Sequence, residues 1–351
     1  MSGRALLLAP SRGHGGGIER YASALEWALR TRDVDCERLD LAGAGARAQA
    51  RLLAQARRAL RAQAGPARLI LCHRSLLPAG TLLAREPAVG GISVVCHGSD
   101  VWGRRPRARG WLERRLMVSP AVRVVAASSF TAGALASGCH ASVLPPGLSR
   151  DWFDVLVRES EEVRARPPGP GFRLVTAFRL SQWRGKGLAE LLGALAALGR
   201  PDVRLAVCGS GQPSAELANL AGQYPFCCLR PSVTDRELAG QLAAADLFVL
   251  ATRTRGGRDA SGEGFGLVLL EAQVAGTPVV APAFGGSHDA FVDGVTGVAP
   301  ADESAQALAK VLDSLLGDRP RLAAMGVRAG AWARERFDPD RYASVAVARL
   351  M

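Results

Sequence analysis

The sequence predicts an α/β fold with two domains, and three observations support this. Short apolar segments alternate with helix-like stretches in both halves, as in parallel sheets that helices cover on both faces. At 351 residues the chain is too long for one ordinary α/β core. The polar, proline-rich segment 151–170 separates the two series. We therefore expect domains over 1–150 and 171–335, a linker over 151–170, and a last helix over 336–351.

Apolar segments of the first half predict six strands. They lie near 4–9, 34–39, 68–72, 92–97, 122–127 and 141–145. A glycine-rich turn that includes Gly16 and Gly17 follows the first strand, where doubly wound sheets bind phosphates. It is a poor dinucleotide fingerprint, because Ile18 stands where a small residue is needed. His97 and Asp100 lie just past the strand 92–97, at the sheet edge where such folds place ligands.

The stretch 263–297 carries the most specific functional pattern of the chain. Glu263 precedes a glycine turn, and the apolar helix that follows carries a second carboxylate, Glu271. Gly264 and Gly266 have no side chain to keep a ligand from the unpaired amides at the helix start, which favours a phosphate there. Eight helical residues span about 12 Å. The two carboxylates would therefore bracket an extended ligand.

The order of these features resembles a known family. E-x7-E with GFG after the first glutamate, then AGTPVVA, a double glycine and DGVTG, is similar to the retaining GT-B glycosyltransferases of glycosyltransferase family 4. The resemblance implies two Rossmann-like domains that face a central cleft, with the terminal helix crossing back to the first domain. It implies that Glu263 contacts the transferred sugar and Glu271 the nucleotide ribose. It also implies donor contacts from the helix start, at Gly264, Phe265, Gly266 and Leu267.

The same resemblance assigns further donor residues in the second half. Arg179 and a following cation would grip the donor diphosphate, and the longer loop here leaves both Arg184 and Lys186 as candidates for that second cation. The backbone around Val233 would meet the nucleotide base. Thr234 has a separate structural role, because the spacing to Glu237 predicts a helix capping box.

Residues of the first half complete the implied site. Gly16 and Gly17 would touch the donor diphosphate. His97 would lie near the transferred sugar and the acceptor hydroxyl, with Asp100 beside it on the acceptor side.

Positive charge is concentrated in the first half. Residues 1–150 hold 22 Lys+Arg against 9 Asp+Glu, and the remainder holds 22 against 23, which together recover the net charge of +12. Such a half suits an anionic membrane surface, a lipid phosphate or nucleic acid. The segment 102–116 sets arginines beside tryptophans, as interfacial membrane segments do, although a solvated helix face has the same composition. The loop with Arg253, Arg255 and Arg258 resembles mannosyltransferases that act on phosphoinositide lipids.

These features predict a retaining hexosyltransferase. Its donor would be GDP-mannose or a UDP-sugar, and its acceptor a hydroxyl on a sugar, a lipid-linked or polysaccharide precursor, or a natural product. On the family pattern neither a metal nor another cofactor is needed, and the D-x-D from Asp33 to Asp35 has the position of a turn. A sugar-nucleotide epimerase of the same fold is one alternative. A nucleic-acid-binding protein is another, but it leaves the glutamate pair unexplained.

The sequence also predicts where the enzyme acts. No apolar stretch is long enough to span a bilayer, and the start of the chain reads as a strand. The seven cysteines include no C-x-x-C pair, which indicates reduced thiols. We therefore expect a cytoplasmic enzyme, peripheral on the inner face of the plasma membrane if the basic segment binds lipid.

Overall fold

A computed structural model describes most of the chain and divides it into two compact units. It describes residues 3–10, 16–43, 45–62, 65–102, 107–135, 138–164, 169–257 and 260–351, without the side chains of 99, 107–109 and 164. Unit 1 comprises Met1–Ser149, Gly256–Ala260 and Pro339–Met351, and unit 2 comprises Arg150–Arg255 and Ser261–Asp338. Each unit is an α/β fold with its own parallel sheet, as predicted.

Unit 1 contains a parallel sheet that, within the described residues, has six strands in the order β2-β1-β3-β4-β5-β6. The strands are β1 (Arg4–Ala9), β2 (Asp35–Asp40), β3 (Ala67–Leu71), β4 (Val89–Cys96), β5 (Val122–Ala126) and β6 (Ala141–Val143), which confirms the predicted positions. The helices between them are α1 (Gly17–Thr31), α2 (Ala46–Ala62), α3 (Leu77–Leu83), α4 (Ser99–Trp102), α5 (Arg107–Met117) and α6 (Ser129–Gly133).

Strand β1 shows why this sheet is apolar on both faces. Leu7 packs into one hydrophobic cluster, whereas Leu6 and Leu8 pack into another on the opposite face. All three side chains are buried. Successive strand residues point to opposite faces, so a continuous apolar run is what a doubly covered strand requires. Each such leucine stabilises the fold by roughly 1.5–3 kcal/mol through burial.

Unit 2 contains a second parallel sheet, whose described strands number six in the order β12-β11-β10-β7-β8-β9. The strands are β7 (Phe172–Ala177), β8 (Val203–Gly209), β9 (Cys227–Pro231), β10 (Leu247–Val249), β11 (Val279–Val280) and β12 (Gly297–Val298). The helices are α7 (Arg150–Arg164), α8 (Leu188–Leu198), α9 (Ala215–Gly222), α10 (Asp235–Ala243), α11 (Leu267–Val274), α12 (Ala305–Leu316) and α13 (Arg319–Arg336). The last helix of the chain, α14 (Pro339–Leu350), belongs to unit 1.

Helix α14 is part of the core of unit 1, as the resemblance implies. Tyr342 and Leu350 lie in the same hydrophobic cluster as Tyr21 of helix α1. The Tyr342 ring lies so close to Gly147 that a Cβ at that position would collide with the ring. Helix α14 can therefore pack against Gly147, the last residue of the Pro-Pro-Gly sequence, because any other residue at this position would have a side chain that collides with the Tyr342 ring.

The segment expected to be a linker over 151–170 is helical for most of its length. Residues 150–164 form helix α7, which packs against α10 and α11. Phe153, Leu156 and Ser160 are buried along one face at helical spacing. The polar composition misled the prediction because the exposed face of the helix carries most of the charges.

The described helices include none that is long and apolar enough to cross a membrane. All seven cysteines are free. Burial raises the pKa of the Cys36 thiol to about 12, which keeps it protonated and unreactive at neutral pH.

Candidate functional site

In unit 2 the turn before helix α11 is built by glycines. Gly266 caps the helix with a left-handed backbone, φ +80°, and the helix begins at Leu267. Gly285 has φ +112°, and a Cβ there would lie 2.6 Å from the Glu263 carbonyl oxygen. The amide of Gly286 donates to that same carbonyl over 2.8 Å. The double glycine thus holds the backbone of Glu263 in place ahead of the helix.

The Glu263 side chain lies beside one of the predicted cations. Lys186 Nζ donates to Glu263 Oε2 over 2.8 Å, and the hydroxyl of Thr252 donates to the same oxygen over 3.0 Å. Thr252 is buried, whereas the Lys186 and Glu263 side chains are 22% and 12% exposed. Gly187 shapes the lysine loop. Its φ is +68°, and a Cβ at this position would collide with the Ala251 carbonyl oxygen, so only glycine fits.

The two arginines predicted for the diphosphate have different surroundings. Arg179 follows β7, is partly buried, and its Nε has no hydrogen-bond partner among the described residues. Buried donors are normally paired, so this nitrogen is suited to a ligand acceptor. The Arg184 side chain is more than half exposed, pairs with Glu216 and stacks 4.4 Å above the Trp183 ring. Of the two candidates for the second cation, Lys186 is the one that contacts Glu263.

Glu271 lies on helix α11 with almost no exposed surface. It is 3% exposed, and its Oε1 accepts a hydrogen bond of 2.9 Å from the indole Nε1 of Trp152 on helix α7. Phe265, between the two glutamates in sequence, is also buried and packs edge-on against Phe337. Of Phe265, only the backbone is therefore available for the donor contact that the resemblance implies.

The remaining predicted donor residues lie in loops and at helix starts. Gly264 and Val233 are partly buried. Gly16 and Gly17 form the start of helix α1 in unit 1, where the Gly16 amide donates to Glu19 over 3.1 Å. Thr234 caps helix α10, and its amide and hydroxyl both donate to Glu237, which confirms the predicted capping box.

In unit 1, the two predicted residues at the end of β4 are in contact. Oδ1 of Asp100 accepts hydrogen bonds of 2.9 Å from the amides of His97 and Gly98. Oδ2 accepts from the Arg74 amide over 3.3 Å and lies 3.8 Å from Nε2 of His73. Asp100 is 4% exposed, so its buried carboxylate holds the loop in place through these bonds to backbone amides.

His97 itself is held by a neighbouring strand end and two rings. Its Nε2 lies 2.8 Å from the Cys72 carbonyl, and because a carbonyl only accepts, this nitrogen carries the proton. The ring stacks on His73 at 6.1 Å and meets Tyr21 edge-on at 5.0 Å between ring centroids. The other ring nitrogen, Nδ1, is therefore the acceptor atom of a neutral His97.

Burial and charge define the protonation states of this loop. Burial lowers the pKa of His97 below 6.5, and it outweighs the opposing influence of Asp100 and of the Cys72 carbonyl. For Asp100, burial acts to raise the pKa, but His73, His97 and the backbone amides together hold it below its ordinary value. At neutral pH the loop thus combines a neutral His97 with an ionised Asp100.

Sequence reasoning missed several residues of these two clusters. Trp152, Thr252 and His73 each bond to or lie beside a predicted side chain. Only His73 has a sequence signal, because it follows a predicted strand as His97 does. In the basic loop, Arg253 pairs with Glu190, Arg255 is exposed, and Arg258 lies outside the described residues.

Comparisons with known proteins agree on one family. The family model described as glycosyl transferases group 1 matches residues 160–332. A GDP-mannose-dependent alpha-(1-6)-phosphatidylinositol monomannoside mannosyltransferase of Mycolicibacterium smegmatis is 34% identical over 264 residues, which are 73% of this chain and 68% of that protein. A D-inositol 3-phosphate glycosyltransferase of Arthrobacter sp. is 32% identical over 247 residues, 65% of this chain and 56% of that protein.

Solved structures share the fold at low sequence identity. Anabaena HepE in complex with UDP and glucose matches with a TM-score of 0.73 at 20% identity and covers 99% of both chains. Sucrose-phosphate synthase from Thermosynechococcus elongatus matches with a TM-score of 0.77 at 17% identity, over 99% of this chain and 98% of that one. With two parallel sheets, the glutamate-glycine site and these relatives, the chain belongs to the GT-B glycosyltransferases of glycosyltransferase family 4.

Proposed function

We propose that this enzyme transfers a hexose, with retention of configuration, from a nucleotide diphosphate sugar to the hydroxyl of an inositol-containing or lipid-linked acceptor. GDP-mannose is the first donor to test, since the mycobacterial relative is GDP-mannose-dependent and 34% identical. UDP-sugars are the second choice. Membership of a glycosyltransferase family favours transfer over epimerisation of the donor or binding of nucleic acid.

One observation carries the proposal: Lys186 and Glu263 meet at 2.8 Å. A cation and a carboxylate in contact suit a sugar diphosphate, because the carboxylate can accept hydrogen bonds from sugar hydroxyls and the ammonium can donate to phosphate oxygens. Gly266 lies at the start of helix α11, where backbone amides and the helix dipole favour an anion.

The chemistry we propose is electrostatic. When the bond between the sugar and the diphosphate breaks, negative charge develops on the departing phosphate. Lys186, Arg179 and the helix amides are cations and dipoles fixed in advance, so they stabilise that charge without reorganising. The unpaired Nε of Arg179 supports this role. With two cations available, we propose that the transfer needs no metal ion.

On the acceptor side we propose a role for His97. Its Nε2 proton is committed to the Cys72 carbonyl, so Nδ1 would accept a hydrogen bond from a hydroxyl. Asp100 would act indirectly, through its bonds to the His97 and Gly98 amides.

The test is direct transfer from labelled donors. The purified enzyme is incubated with GDP-mannose, UDP-glucose or UDP-galactose, first alone and then with inositol, inositol 3-phosphate or phosphatidylinositol in detergent. We expect a glycosylated acceptor from GDP-mannose, with the anomeric configuration of the donor preserved in NMR spectra. A sugar nucleotide with one inverted hydroxyl, formed from donor alone, would instead identify an epimerase, and an inverted anomeric centre would exclude retention.

We also propose that the basic segment 102–116 contacts an anionic membrane. On helix α5, Trp111 is 56% exposed and Leu112 is 40% exposed, and the exposed Arg114 and Arg115 stand beside them. Arg115 lies 5.5 Å from the centre of the Trp111 ring. Residues 103–106, with two of the arginines in the segment, lie outside the described residues. Basic side chains near such a surface contribute about 1 kcal/mol each.

Vesicle sedimentation tests the membrane contact. We expect binding to vesicles with phosphatidylinositol as about a third of the lipid, weaker binding at high salt, and none to pure phosphatidylcholine. Trp111→Ala combined with Arg114→Glu should weaken binding without changing transfer to soluble inositol. Equal binding of the wild type and this variant would reject the contact, and binding to duplex DNA of similar strength would support a nucleic-acid partner instead.

A further inference from the structure

Helix α7 places an indole N–H against the carboxylate of Glu271 in unit 2. Trp152 lies in the first turn of α7, and its Nε1 donates to Oε1 of Glu271 over 2.9 Å. The two residues are 119 positions apart in the chain. Phe153 and Leu156, two further residues of α7, have buried side chains that fix the position of the helix. The indole donor is therefore presented from a packed helix.

The contact restrains the side chain of Glu271. Glutamate has three side-chain torsions, and fixing them costs up to about 2 kcal/mol of conformational entropy. An indole has a single donor in a rigid ring, so its bond to Oε1 restricts where that carboxylate oxygen can lie. Glu271 is 3% exposed, and a buried carboxylate oxygen needs such a donor.

We infer that Trp152 is a positioning residue for Glu271, which holds the carboxylate oriented toward the ribose hydroxyls of the donor nucleotide. The inference rests on the proposed function and on the ribose contact that the family resemblance implies for Glu271. A carboxylate offers about four acceptor positions, so it can bond to the indole and to hydroxyls at once. Trp152 then acts on ribose recognition without touching the nucleotide.

A purely structural role for Trp152 makes a different prediction. If the bond only joined α7 to α11, its loss would weaken the binding of every nucleotide equally. If it positions Glu271, its loss weakens only the part of the affinity that comes from the ribose hydroxyls. The ratio of affinities for a ribonucleotide and its dideoxy analogue separates the two.

The experiment measures this ratio by calorimetry in Trp152→Phe, which keeps an aromatic ring and removes the donor. The probes are GDP and 2′,3′-dideoxy-GDP, with the UDP pair measured in parallel. The matched control is Trp332→Phe, the same exchange at another partly buried tryptophan of unit 2. Hydrogen bonds to a charged group change affinity by roughly tenfold or more.

We expect the wild type to prefer GDP over its dideoxy analogue about tenfold. Trp152→Phe should reduce this preference to about twofold, by weakening GDP binding while the dideoxy analogue binds as before. Trp332→Phe should keep the wild-type preference. An unchanged preference in Trp152→Phe overturns the inference alone, whereas failure of the wild type to bind either GDP or UDP overturns the proposed function and the inference with it.

A second variant covers the case in which Trp152→Phe fails to fold. Replacement of Trp152 by β-(3-benzothienyl)alanine keeps the shape of the bicyclic ring and replaces only the N–H by sulfur. The same loss of ribose preference is expected. A wild-type preference in this variant overturns the inference.

Discussion

Removal of the Lys186 ammonium should lower turnover far more than stability. Its Nζ lies 2.8 Å from Glu263 Oε2, at a point where the proposed reaction develops charge on the departing diphosphate. Loss of one preorganised group of this kind costs about 10²–10³ in kcat, or about 2.7–4 kcal/mol of transition-state stabilisation. We therefore expect Lys186→Ala to lower kcat at least about 100-fold.

The stability of the same variant follows from exposure. The lysine side chain is 22% exposed and that of Glu263 is 12% exposed, so water screens their ion pair. Pairs that water reaches contribute roughly 0.2–1 kcal/mol. Glu263 also keeps the Thr252 hydroxyl at 3.0 Å. The free energy of unfolding should fall by about 1 kcal/mol, which lowers the Tm by about 2–4 °C in a domain of this size.

The assay combines initial rates at saturating donor with thermal unfolding of the same preparations. Lys310→Ala is the matched control, because Lys310 is the other lysine of the chain and is exposed on helix α12. It should retain wild-type kcat and Tm. A kcat within about threefold of wild type in Lys186→Ala would refute the electrostatic role. A Tm loss above about 10 °C would show that the fold, not the chemistry, explains lost activity.

Three further predictions concern the same clusters. Glu271→Ala should weaken GDP or UDP binding by roughly tenfold or more, measured by calorimetry, because hydrogen bonds to a charged acceptor are lost. Burial lowers the pKa of folded His97 below 6.5, so the unfolded chain takes up a proton first. The stability that the neutral His97 contributes is complete above about pH 6.5 and is lost as pH falls through the lowered pKa. The Tm of His97→Asn should therefore depend less on pH than the wild-type Tm does between about pH 5 and 8. Gly187→Ala should cost about 3 kcal/mol or more, since φ is +68° and the new Cβ would collide with the Ala251 carbonyl oxygen.

Each of these predictions has its own check. For the glutamate, Glu216→Ala removes an exposed carboxylate and should leave nucleotide affinity within about twofold. For the histidine, a wild-type slope of Tm against pH in His97→Asn would exclude it as the titrating group. For Gly187→Ala, the control is Gly193→Ala. Gly193 lies inside helix α8 with no atom within 4 Å of the new Cβ, so this exchange should be neutral or stabilising by about 0.5–1 kcal/mol. Equal stability of the two alanine variants would contradict the steric argument.

Much of the fold could be predicted from local sequence patterns. The strands of unit 1 were found from apolar runs, and the cap at Thr234 was found from the spacing to Glu237, because both depend on neighbours within a few residues. Helix α7 was missed for a related reason: its polar composition hid a buried stripe at helical spacing.

The sequence predicts a candidate site but not the contacts between its side chains. The motif around Glu263, with its glycines, predicts a ligand site because glycine turns and helix starts have local signatures. Which carboxylate Arg184 and Lys186 each contact depends on partners far away in sequence: Glu263 lies 77 residues from Lys186, and Glu216 lies 32 residues from Arg184. No local pattern records which of two neighbouring cations faces a distant carboxylate.

The sequence by itself determined the fold class, the order of strands and helices in the first half and the family, because these follow from apolar periodicity and from motifs of contiguous residues. Only the tertiary structure decided that Trp152 bonds to Glu271 and that Asp100 is turned inward toward backbone amides. The physical reason is that hydrogen bonds require specific atoms within about 3 Å, and packing brings such atoms together from positions that sequence spacing does not relate.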